Sequence, residues 1–122
     1  MSVFSLNKNN SLKKTSDIDN VFKNGEKISS KLISLYYIKS EKKDRPHFAF
    51  TVGKKTHNLA TTRNKLKRLM KESFRMNAKN YIKSDLTYNL VFVYFSSKQE
   101  SFNKVEESMK SLLLSFKNQT QS

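Results

Sequence analysis

At 122 residues the chain has room for one domain with one modest core. It carries 24 Lys and Arg against ten Asp and Glu, a net charge of +14; such an excess repels itself unless a polyanion, usually nucleic acid, neutralises it. Cysteine is absent, which excludes disulfides and thiolate metal sites and agrees with a reducing cytosol. The longest apolar run, residues 90–95, is far short of a membrane span, and residues 1–10 lack the apolar core of a signal peptide. Neither a membrane partner nor export is expected, and the expected location is cytoplasmic.

In chain order, residues 1–11 are polar and Asn-rich and read as a flexible basic arm. Residues 15–24 predict a short helix: Thr15 or Ser16 can cap it, Ile18, Val21 and Phe22 fall at helical spacing, and Gly25 suits a left-handed C-terminal position. Residues 31–39 hold Leu32, Ile33, Leu35, Tyr36, Tyr37 and Ile38 and predict a strand. A charged turn with the only proline, Pro46, follows over residues 40–46. Phe48, Phe50 and Val52 then alternate with small or polar residues, the mark of a strand with one buried face. Residues 58–79 predict the longest helix, with Asn58 as its N-cap and Leu66, Leu69, Met70 and Phe74 as one apolar stripe. Residues 86–95 read as a central, buried strand. Phe102, Val105, Met109, Leu112, Leu113 and Phe116 make a last amphipathic helix. The single domain is expected over residues 12–117, with 118–122 as a disordered tail. The order suits a small sheet with helices packed on one face and the other face partly exposed. A parallel βαβ crossover is possible in it, right-handed by default.

The charge is uneven. Residues 54–83 hold ten cations and one acid, Glu72, for a net +9, whereas residues 86–122 hold four Lys and three Glu, for a net +1. Arg63, Lys67, Lys71 and Arg75 stand four apart on one stripe of the long helix, and Asn64 and Arg68 form a neighbouring row. Like charges at that spacing destabilise a helix by about 0.2–0.5 kcal/mol per pair, and a merely solvated helix intersperses acids to avoid the cost. A face of this kind fits phosphate. Charge does not distinguish RNA from DNA, but a helix-turn-helix reader of duplex DNA needs a three-helix unit, which the strand signals oppose. Single-stranded bases stack on aromatic side chains, and Phe22, Tyr36, Phe48 and Phe50 are the candidates, although each taken singly reads more readily as core.

Self-contained catalysis finds no support. A protein nuclease needs clustered carboxylates or histidines. His47 and His57 stand ten apart without an acid cluster, and read as surface or hydrogen-bonding residues. Glu106 and Glu107 are adjacent and diverge on a helix. Gly25 and Gly53, the only glycines, are too far apart for a phosphate loop.

Residues 60–75 read A-T-T-R-N-K-L-K-R-L-M-K-E-S-F-R. This resembles the signature helix of the bacterial ribonuclease P proteins, A-x-x-R-N-R-x-K-R: Arg63, Asn64, Lys67 and Arg68 match, and Lys65 replaces an Arg with its charge kept. Val52-Gly53-Lys54-Lys55 resembles the family's V-[S/G]-K-K strand end. Leu12-Lys13-Lys14 with Asp17-Ile18 and Val21-Phe22 resembles its first helix, and Leu35-Tyr36 its tyrosine-bearing strand. The likeness runs over residues 12–116. It departs in two places: the turn Thr56-His57-Asn58-Leu59 is one residue longer and lacks the usual Gly, and Ile18 stands where an aromatic is common.

The resemblance implies an α+β two-layer sandwich in the order α-β-β-β-α-β-α, with a left-handed βαβ crossover in place of the default hand. It implies that Arg63, Asn64, Lys65, Lys67, Arg68, Lys71 and Arg75, with Lys54 and Lys55 at the strand end, lie against the catalytic RNA of ribonuclease P. A cleft between the first helix and the sheet, here Lys13, Lys14, Ile18, Phe22, Tyr36 and Phe48, takes the single-stranded 5′ leader of precursor tRNA. The RNA, with Mg²⁺, does the hydrolysis; the protein supplies no catalytic residue, improves substrate affinity and lowers the magnesium requirement. The alternatives are a ribosomal-type or general RNA-chaperone protein and a standalone nuclease. DNA is not expected as a partner.

Overall fold

The computed structural model describes residues 12, 14–40, 46–82 and 87–120. Along them run α1 (Thr15–Asn24), β1 (Glu26–Ser29), β2 (Ile33–Lys39), β3 (His47–Val52), α2 (Ala60–Asn77) with a short 3₁₀ turn at Ala78–Asn80, β4 (Tyr88–Tyr94) and α3 (Phe102–Thr120). The order α-β-β-β-α-β-α is the expected one. The strands form a single sheet, β1-β2-β4-β3. β2 pairs antiparallel with β1 and with β4, placing Tyr36 opposite Val91 and Leu35 opposite Phe92. β3 runs parallel to β4, with Phe48 opposite Leu90 and Ala49 opposite Val91, so α2 is the crossover between two neighbouring strands.

Side chains alternate across a sheet, and the register sorts them into two layers. On one face Leu35, Tyr37, Phe48, Leu90, Phe92 and Tyr94 are buried with Leu66, Met70 and Phe74 of α2 and Val105, Met109, Leu112 and Phe116 of α3. Phe74 is the hub: its ring lies 4.5 Å from Phe48, 5.7 Å from Phe50 and 5.3 Å from Phe92. The other face is thinner. Val91 packs there with Val21 of α1 and with Leu12, flanked by half-buried Ile18, Tyr36, Ile38, Ala49 and Val93. The expectation of helices on one face is thereby corrected, because Ile18 and Val21 turn α1 onto the opposite side from α2 and α3.

Several local expectations are corrected too. Neither Thr15 nor Ser16 caps α1; Lys14 holds the N-cap position and no side chain caps it. Gly25 is extended (φ −83°, ψ 169°), not left-handed. Its missing side chain serves close approach instead: a Cβ there would lie 2.5 Å from the Val21 carbonyl oxygen and 2.6 Å from that of Tyr37. α2 begins at Ala60 with Leu59, not Asn58, in the N-cap position. α3 runs three residues past the expected boundary at 117, to Thr120, whose hydroxyl donates to the Phe116 carbonyl at 2.7 Å. Gln119 accepts a 2.7 Å bond from the buried Tyr37 hydroxyl, tying that last turn to β2. The arm at 1–11, most of the turn at 40–46 and the start of the strand expected at 86–95 lie outside the described residues.

Candidate nucleic-acid interface

Packing fixes how α2 is rotated. Leu66, Met70, Ser73, Phe74 and Asn77 are buried, and Asn77 Nδ2 donates to the Ser73 carbonyl at 2.7 Å and to Glu106 Oε2 of α3 at 3.0 Å. With that edge inward, Asn64, Lys65, Arg68, Lys71 and Arg75 are exposed, and Arg63 and Lys67 lie half-buried at the border. Of the predicted stripe, Lys71 and Arg75 thus face solvent, while Arg63 and Lys67 line its border. Arg75 donates to Glu72, and that bond, then the neighbouring carboxylate charge, pushes its guanidinium above the ordinary arginine range. Among the described residues Lys65, Lys67, Arg68 and Lys71 have no carboxylate within ion-pair reach. Four cations on two turns of helix without counter-charge make a cationic surface whose charge suits phosphate.

The turn between β3 and α2 adds to it. Lys54 and Lys55 are exposed directly after β3. The turn closes through His57 N–H to the Gly53 carbonyl at 3.1 Å. His57 is 7% exposed, and its Nε2 donates to the Ser96 carbonyl beyond β4 at 2.8 Å, which agrees with a hydrogen-bonding histidine. Arg63 reaches back along α2, and its Nη1 donates to the carbonyls of His57 at 3.0 Å and Asn58 at 2.9 Å. The motif arginine is therefore committed to the protein's own backbone through one of its two terminal nitrogens. Nothing in the residue pattern announces those two bonds.

The second surface lies across the sheet, between α1 and β2. Lys14, Ile18 and Phe22 stand at i, i+4 and i+8 along one side of α1, so they share a stripe about 12 Å long. Phe22 is 39% exposed and meets Tyr36 edge-to-face with centroids 4.8 Å apart. Lys27 of β1, which pattern reading missed, holds its Nζ 5.5 Å from the centre of the Tyr36 ring. Half-buried Ala49 and Val93 continue the floor. This is an open aromatic and aliphatic groove with cations at its rim.

Phe48 does not belong to it. It is 2% exposed and faces Phe74 on the opposite side, because alternation sends Phe48, Phe50 and Val52 one way and Ala49 and Thr51 the other. Its backbone does border the α1 side, where the Phe48 carbonyl accepts from Leu12 N–H at 2.8 Å. Lys13 lies outside the described residues. Among those described, no three His, Cys, Asp or Glu side chains gather in a metal-binding cluster, and no helix is long and apolar enough to cross a membrane.

The comparisons agree with one another. The family model Ribonuclease P matches residues 6–117. The ribonuclease P protein component of Clostridioides difficile is 36% identical over 109 residues, covering 88% of this chain and 92% of its own. That of Alkaliphilus metalliredigens is 32% identical over 113 residues, covering 92% and 97%. The solved ribonuclease P protein of Thermotoga maritima superposes with a TM-score of 0.72 at 25% identity, covering 86% of this chain and 96% of that one. That of Staphylococcus aureus, at 23% identity, shares the fold with a TM-score of 0.73 over 85% and 92%. With the family model spanning most of its length and its cationic helix folded as a single exposed face, this chain belongs to the ribonuclease P protein family.

Proposed function

We propose that the two faces of the sheet divide the protein's work within ribonuclease P. Membership of the family makes the chain the protein component of this endoribonuclease of tRNA 5′ maturation. In this reading α2 and the turn at Lys54 and Lys55 dock on the catalytic RNA, and the groove of Lys14, Ile18, Phe22 and Tyr36 receives the 5′ leader of precursor tRNA. The observation that carries it is the pairing of a cationic helix, whose one ion pair among the described residues is Arg75 with Glu72, on one side with the accessible Phe22–Tyr36 pair on the other. A scaffold RNA needs the first and an unpaired strand needs the second. The protein works in the cytoplasm, beside its RNA.

Bond cleavage is left to the RNA. In this reading Mg²⁺ is held mainly by the RNA, which carries out the hydrolysis with it. The protein raises affinity and relieves phosphate repulsion, which lowers the magnesium the RNA requires. If roughly 6–10 phosphates are contacted, affinity falls about 10³–10⁵-fold between 50 and 200 mM salt, with duplex DNA as the guide.

The test is cleavage of precursor tRNA by a bacterial ribonuclease P RNA at limiting Mg²⁺, with and without the protein, beside a protein-only reaction. Strong stimulation with no cleavage by protein alone is expected. No stimulation of a cognate RNA would leave a general RNA-binding protein, and cleavage by protein alone would point to a nuclease.

A further inference from the structure

Arg63 is the fourth residue of α2, where a cation opposes the helix dipole, and α2 has neither an acid in its first turn nor a side-chain cap. Its place there is explained by the two backbone carbonyls it holds, those of His57 and Asn58, at 3.0 and 2.9 Å. The same turn is fixed from its other side by His57 Nε2 on the Ser96 carbonyl at 2.8 Å. Lys54 and Lys55, both exposed, lead into this anchored segment, spanned by the bond from His57 N–H to the Gly53 carbonyl at 3.1 Å. No glycine follows Gly53 in the turn, and these bonds hold its path.

We propose that Arg63 is a positioning residue: it acts on RNA through the turn that carries Lys54 and Lys55, and the phosphate contacts of α2 itself fall to Lys67, Arg68 and Lys71. The inference rests on the reading of α2 and this turn as the RNA face. Its chemistry is specific to arginine. One nitrogen of a planar, pre-organised fork bridges two neighbouring carbonyls, whereas a lysine ammonium is a strongly hydrated point charge on a shorter reach. A residue that merely supplied charge to phosphate would be replaced well by lysine; one that holds a turn would not.

The experiment is a double-mutant cycle in the full chain, with a bacterial ribonuclease P RNA as the probe and thermal melting as the check on folding. Arg63→Lys and Arg63→Ala are each expected to weaken binding roughly five- to tenfold. In a chain that already carries Lys54→Ala and Lys55→Ala, either change should cost less than about twofold, while Arg68→Ala keeps its full effect. A general loss of structure caused by the Arg63 change would lower affinity alike in both backgrounds, so the cycle reads positioning separately. Should Arg63→Ala melt the protein, Arg63→Lys carries the cycle alone. Wild-type affinity in Arg63→Lys, or an undiminished Arg63→Ala effect in the lysine-free background, would overturn the proposal. If Arg68→Ala and Lys67→Ala do not weaken binding at all, the RNA face itself is wrong, and the proposal goes with it.

Discussion

The two faces of the sheet are built from the same residue types and do opposite things with them. Under α2 and α3 the aromatics close on one another: Phe48, Phe74 and Phe92 are almost wholly buried around one hub. Under α1 they remain reachable, with Phe22 39% exposed against Tyr36. What separates the faces is coverage. Two long helices seal one side, and a ten-residue helix spans only part of the other. A strand aromatic is thus sealed or left accessible according to which side of the pleat it occupies, and the parity of its strand decides that.

Phe48→Ala and Phe22→Ala test this contrast most sharply. Removing Phe48 should cost about 3–5 kcal/mol in urea unfolding, because it empties a packed site. Removing Phe22 should cost less than about 1 kcal/mol and weaken leader binding instead. Equal losses of stability would erase the distinction between the faces. Next in size is Gly25→Ala, which drives a methyl into two carbonyl oxygens at the point where α1 turns into β1. We expect a loss of about 1–3 kcal/mol, seen as a lower melting temperature. An unchanged melting temperature would mean that the α1 junction relaxes freely.

Tyr36→Ala should weaken binding of leader-bearing precursor by about 1–3 kcal/mol and leave leaderless tRNA unaffected. A loss shared equally by both substrates would sink the groove as the leader site. The smallest effect belongs to Lys71→Ala, on the sealed side but facing solvent. It should leave unfolding within about 0.5 kcal/mol and reduce the salt slope of RNA binding by about 0.7–0.9. An unaltered slope would remove Lys71 from the phosphate contacts.

Much of this was readable in the chain. The period of Leu66, Met70 and Phe74 and that of Val105, Met109, Leu112 and Phe116 placed both sealing helices, since a 3.6-residue repeat of apolar side chains is a one-dimensional signal. The motif from Arg63 to Arg68 likewise lay on one helix and kept its exposed side. Other features were illegible because they depend on distant partners. β1 has a single apolar residue, Ile28, and exists through its pairing with β2. Phe48 was drawn into the wrong layer although its own alternation with Ala49 was visible, because alternation says that two faces differ and not which helix covers each. Gly25 takes its role from the Tyr37 carbonyl across a strand pair. The bond from His57 to Ser96 spans 39 residues, and no local pattern foreshadows it.

The position of β4 bears on how the molecule is made. Among the described residues it is the last strand, yet it lies between β2 and β3 and joins them. When the ribosome has finished α2, β3 still has no strand to pair with. At roughly 5–20 residues per second, residues 78–94 follow about 1–3 s later. Pulsed hydrogen exchange during refolding should accordingly find the amides of β3 protected no earlier than those of β4, and earlier protection of β3 would contradict this order. The cationic helix is thus synthesised before β4, the strand that completes the sheet beneath it.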